Sequence, residues 1–114
     1  MADKIATREA YGKALAEFGA EYENLVVLDA DLAAATKTGT FKKAFPDRFF
    51  DCGIAENNMI GVATGMSLCG KIPFASSFAM FAAGRSFEQI RNPNIFVAIA
   101  FTTLNEMSCN NFIF

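Results

Sequence analysis

The chain has 114 residues, 53% of them hydrophobic and 19% charged, with a formal net charge of −2. That suits one small domain or one piece of a larger one, richer in apolar residues than an ordinary soluble domain and suited to being covered by another chain. It excludes a basic nucleic-acid footprint, and the absence of histidine excludes Ser-His, Cys-His and His-metal chemistry run by this chain alone.

The N-terminal Met-Ala-Asp-Lys-Ile lacks the order of a signal peptide. No apolar run reaches the roughly 18 residues that a membrane span needs, so no membrane span is expected. Three cysteines, Cys52, Cys69 and Cys109, form no C-x-x-C and read as free thiols of a reducing, cytoplasmic setting.

Residues 7–18 are predicted as a helix with Ala10, Ala14 and Phe18 on one stripe beside Tyr11 and Leu15. Thr7 serves as the expected N-cap and Gly19 as the expected stop. Leu25 to Leu28 is a continuous apolar run, as in a buried parallel strand, followed at its carboxyl end by Asp29 and Asp31. "LAAATKTGT" reads as a loop or short turn, and "FKKAF" as a short helical piece stopped by Pro46. "RFFDCG" is a second strand, and residues 55–69 a second long helix. "IPFASS" is a third strand, "AMFAAGRSFEQIR" a further helix, and "IFVAIAFTT" a fourth strand. Alternation of this kind predicts an α/β fold: a parallel sheet with helices on both faces. Ligands of such sheets gather outside the carboxyl ends of the strands, which brings three stretches toward one edge: 29–32, 52–56 and 76–81.

Within "GIAENNM" one residue stands out. From Gly53 to Gly84 the only charged side chains are Glu56 and Lys71. A glutamate in a first helical turn ordinarily does no more than complement the helix dipole. Here its surroundings are nearly uncharged, and desolvation penalises an unpartnered carboxylate. Such a group is suited to sharing a proton with a ligand. Phe74, Phe78 and Phe81 are either core or a wall for a flat heterocycle. Arg8, in a first helical turn, is either a solvated residue or part of a phosphate site.

Taken together, "IATREAYGKAL" and the run from "VVLDADLAAATKTGTFKKAF" through "GIAENNM" to "FAMFAAGRSFEQIRN" resemble the pyrimidine-binding domain of transketolases. More narrowly, they resemble the separate C-terminal subunit of the split bacterial enzymes. The resemblance covers about residues 5–92. It implies a thiamine diphosphate-dependent transferase that moves a two-carbon ketol unit between sugar phosphates, a step of the pentose phosphate pathway. Glu56 is implied to hydrogen-bond N1′ of the cofactor's aminopyrimidine, favouring the imino tautomer that activates the thiazolium. Phe78, Phe81 and Phe74 are implied to surround that ring, with Asp31 and Leu32 beside the cofactor. Arg8 is implied to grip the substrate phosphate. A serine that often adds to that grip is replaced here by Ala35, next to Thr36. The diphosphate and its metal, Mg or Ca, are implied to be held by a partner diphosphate-binding subunit, so no metal site is expected here, and a hetero- and homo-oligomer is. The apolar helix 55–69 suits such an interface.

The resemblance divides the chain into a partial pyrimidine-binding domain, 1–92, and a divergent or truncated tail, 93–114. The family's Thr-His segment has no counterpart, so the isolated chain is expected to show no turnover. Deoxyxylulose-phosphate synthases and dehydrogenase E1 β chains share the superfamily, but Arg8 and the A-D-L segment favour transketolase. A truncated noncatalytic paralogue that only binds a partner subunit is the alternative from another class.

Overall fold

The computed structural model describes residues 5–91, and residues 98–102 as backbone. The tail after Thr102, with Cys109, lies outside the described residues. Four parallel strands form one sheet in the order β2-β1-β3-β4. They are β1 (Leu25–Asp29), β2 (Phe49–Asp51), β3 (Ile72–Phe78) and β4 (Ala98–Thr102). In β1 every residue is buried, as its unbroken apolar run requires of a central strand covered on both faces.

Helices cover both faces. On one, α1 (Thr7–Glu21), α2 (Ala33–Thr36) and α3 (Gly39–Ala44) accompany a core of Leu15, Leu25, Val27, Phe41 and Phe49. On the other, α4 (Glu56–Leu68) and α5 (Phe87–Arg91) accompany a core of Val26, Leu28, Met59, Ile60, Ala63 and Ala75. Met59 and Ile60 are sealed from water, and each buried side chain of this size contributes about 1.5–3 kcal/mol toward holding α4 down.

Several expectations are corrected or sharpened. First, Thr7 is not the cap of α1. Ala6 holds that place without a side-chain hydrogen bond. Second, Gly19 does not stop the helix, which runs on to Glu21. It is a packing glycine: a Cβ there would stand 2.5 Å from Phe41 Cε2 and 2.7 Å from Phe45 Cε2. The buried stripe of α1 accordingly runs through Tyr11, Gly12, Leu15 and Gly19, while Ala10 and Phe18 face outward. Third, the small residues after β1 make a helical turn, α2, ending in Lys37 at φ 65°. Fourth, "AMFAAGRSFEQIR" is not one helix: Met80–Arg85 is a π-helical turn, followed by α5.

Arg48 closes the amino edge. Its Nη2 donates to Gly19 O at 2.7 Å and its Nη1 to Tyr22 O at 2.9 Å. Its guanidinium lies 4.1 Å from the Phe45 ring centroid. A basic side chain thus satisfies carbonyls that the end of α1 leaves open.

Candidate functional site

Because the strands are parallel, β1, β2 and β3 end on one edge, at Asp29, Asp51 and Phe78. The chain leaves β1 for β2 on one side and returns to β3 on the other, so the strand order reverses there, the place where parallel sheets of this kind take their ligands. Asp51 laces it together: its Oδ1 accepts from the backbone N–H of Asp31 at 3.1 Å and of Gly53 at 2.9 Å. The Cys52 N–H donates to Asp29 O at 2.8 Å. The edge is thereby held before any ligand arrives.

Glu56 opens α4 directly behind this edge and is only 2% exposed. It has a partner that sequence reasoning missed. Arg85 Nη1 donates to Glu56 Oε2 at 2.9 Å. The apparent isolation of the carboxylate ended one residue beyond the charge-poor window, at the first cation after Lys71. No hydrogen bond among the described residues reaches Glu56 Oε1. The same guanidinium lies 4.7 Å from the Phe81 ring centroid, and Phe81 stacks on Phe78 with centroids 6.0 Å apart and planes 28° apart. An acid shielded from water, a cation and two half-buried aromatic faces therefore form one continuous cluster. Phe74, four residues earlier on β3, packs instead with the core of Leu15, Val27 and Phe41.

Asp31 and Leu32 follow β1. Asp31 is exposed, at φ 61°, a left-handed backbone that aspartate tolerates better than most residues. Leu32 is half-buried, and its N–H donates to Asp29 Oδ1 at 2.6 Å. Asp29 is the buried post of this turn. Its Oδ2 also accepts from Thr36 Oγ1 at 2.7 Å and Thr38 Oγ1 at 2.9 Å. Burial pushes its carboxyl above the ordinary carboxylate range, against the pull of those donors. Burial likewise pushes the Cys52 thiol up, with Asp51 and Asp29 adding to the effect. Tyr11 donates to or accepts from Ser76 Oγ at 2.8 Å, and burial raises its phenol so that it stays neutral. That contact ties the first turns of α1, and with them half-buried Arg8, toward the carboxyl half of β3.

Among the described residues, no three His, Cys, Asp or Glu side chains converge as a metal site, Cys52 and Cys69 are free, and no helix is long and apolar enough to cross a membrane. α4 turns Asn57, Asn58, Gly61, Val62, Gly65 and Leu68 outward. It is thus buried on its sheet side and bare on the other.

Residues 3–99 match the model of the transketolase pyrimidine-binding domain. The chain belongs to that family. The match runs past α5 into β4. The chain is similar to a putative transketolase C-terminal section from Methanocaldococcus jannaschii, 61% identical over 85 residues, which is 75% of this chain and 27% of that protein. It is 47% identical to human transketolase over 92 residues, 80% of this chain and 15% of that one. Among solved structures it resembles a split-gene transketolase described as an inactive β4 tetramer, with a TM-score of 0.78 and 64% identity, covering 86% of this chain and 34% of that chain. The chain therefore spans a minor part of the length of the relatives it matches.

Proposed function

We propose that this chain forms the pyrimidine side of a thiamine diphosphate site in a transketolase-type transferase. The reaction is transfer of a two-carbon ketol unit between sugar phosphates. The observation that carries this reading is Glu56, a carboxylate withdrawn from water at the carboxyl edge, with a stacked pair of phenylalanines reached through Arg85.

These residues fit the group. A flat, weakly basic heterocycle calls for an acid at its ring nitrogen and aromatic surface at its faces, and Glu56, Phe78 and Phe81 are of that chemistry. When bound, thiamine diphosphate supplies the carbon nucleophile of the reaction. Glu56 holds the proton at N1′ of the pyrimidine. Exclusion of water favours that sharing, because no solvent competes for the carboxylate. Phe78 and Phe81 orient the ring, and Phe74 stiffens β3 from the core. Asp31 and Leu32 border the cofactor at the end of β1, on a turn that Asp29 and Asp51 keep in place. Arg8 takes the substrate phosphate, with the N-terminal dipole of α1 behind it.

The diphosphate and its Mg or Ca fall to a partner diphosphate-binding chain. The bare face of α4 is the surface on which such a chain, or a second copy, would be met. Free Cys52 and Cys69 accord with a cytoplasmic setting.

The test mixes the purified chain with a diphosphate-binding subunit, cofactor and Mg, and follows ketol transfer between sugar phosphates. Transfer is expected in the mixture and in neither chain alone. Glu56→Gln is expected to lower it on the order of 10²–10⁴-fold, the range of a lost acid–base group. Full transfer by Glu56→Gln overturns the reading.

A further inference from the structure

We propose that Arg85 is the positioning residue of this site, aiming the Glu56 carboxylate and the Phe81 ring with a single guanidinium. The proposal rests on the reading of Glu56 and Phe81 given above. Its starting point is the asymmetry of the ion pair. Glu56 is sealed in while the Arg85 side chain is 48% exposed, so the contact is not a buried pair that merely fills the core. Arg85 engages Oε2. One oxygen is held, and its twin has no hydrogen-bond partner among the described residues.

The second contact fixes the ring. A guanidinium 4.7 Å from the Phe81 centroid is within the range of a cation–π interaction. Phe81 in turn stacks on Phe78. Acid and aromatic wall sit on different elements, α4 and the turn after β3, and Arg85 is the side chain that touches both. Arginine suits the task where lysine does not. Its planar fork can donate from an edge while lying against a ring.

The backbone supports the same assignment. Arg85 closes the π-helical turn Met80–Arg85. A π turn takes in about one residue more than an α turn and rotates whatever follows it. An α-helical path from Met80 would send Arg85 in another direction. π turns are a local cost that folds retain chiefly where they aim a side chain.

The experiment uses the full chain assembled with a diphosphate-binding partner subunit. The dissociation constant of thiamine diphosphate, with Mg present, is read by calorimetry for wild type, Arg85→Ala, Arg85→Lys, Glu56→Gln and the double variant Arg85→Ala/Glu56→Gln. Arg85→Ala is expected to weaken binding about tenfold, equivalent to ~1.4 kcal/mol. Arg85→Lys recovers only part of that. Millimolar guanidinium restores binding to Arg85→Ala and leaves wild type unchanged, a response that a general loss of stability would not give. In the Glu56→Gln background, Arg85→Ala costs clearly less than in wild type, the remainder being the share carried through the Phe81 ring. Binding by Arg85→Ala that is unchanged, or weakened equally in both backgrounds, overturns the positioning role and leaves the reading of Glu56 standing. Tighter binding also overturns it, by making the arginine an occupant of the ring's own place. A Glu56→Gln assembly that binds as tightly as wild type removes both. Arg85→Gln replaces Arg85→Ala in the series if the alanine variant does not fold.

Discussion

Asp29 shows how a single side chain can hold a site together without belonging to its chemistry. It collects the Leu32 amide and the Thr36 and Thr38 hydroxyls under the turn that carries Asp31 and Leu32. Its folded carboxyl titrates above its unfolded value of about 3.9, chiefly through burial. The folded state therefore keeps the proton longer. The stabilising contribution is full below about pH 4 and is lost as pH rises through the raised folded value. Asp29→Asn has no such slope. Its NH2 group can face the threonine hydroxyls only if they turn to accept, which exchanges charge-assisted hydrogen bonds for neutral ones at a fixed cost of about 0.5–1.5 kcal/mol. In urea unfolding, the variant should be weaker by that amount near pH 4, and the gap should narrow toward neutrality. Glu56 was legible in the sequence because charge is scarce around it. Arg85 was not, because its partner lies 29 positions earlier and only the turn after β3 brings them together.

At the scale of elements, period and run length located α1, α4 and the strands among the described residues to within a few residues. A continuous apolar run such as Leu25 to Leu28 has one stable environment, between two helical layers, and it was read correctly for that reason. The errors cluster where glycine has two meanings. Gly19 looks like a terminator in isolation, yet what decides its role is the approach of Phe41 and Phe45 from another segment. In a free helix, Gly19→Ala would be stabilising by roughly 1 kcal/mol. In this fold the new methyl meets two rings, and the expected outcome is a loss of about 1–3 kcal/mol, read as a lower denaturation midpoint. The π turn escaped for a related reason: its residues, Met-Phe-Ala-Ala-Gly-Arg, are ordinary helix material apart from the glycine, and the wider winding shows only in the backbone.

At the scale of the whole molecule, the unfinished surface is α4. Gly61 and Gly65 have open space where a Cβ would stand, and Val62 and Leu68 are exposed beside them. A helix so poor in charge, bare on one side, suits close approach of another backbone. Val62→Glu should leave the fold within about 0.5 kcal/mol of wild type, as surface changes do. It should abolish association with a diphosphate-binding subunit or with a second copy, as read by analytical ultracentrifugation. Unchanged sedimentation of the variant assembly would remove α4 from the interface. The expectation of a covering partner rests on the apolar excess of the composition, whereas the face of α4 that stays bare depends on which side β1 and β3 cover.

Arg48 has a consequence for the order of events during synthesis. The carbonyls of Gly19 and Tyr22 leave the ribosome more than two dozen residues before the guanidinium that completes them. Until that cation arrives, Tyr22 O has only the Leu25 N–H and water must serve Gly19 O, so the first helix can unravel from its rear end at little cost. The latch closes only when β2 is about to add its edge to the sheet, so the oldest part of the chain waits for a younger one before it becomes permanent.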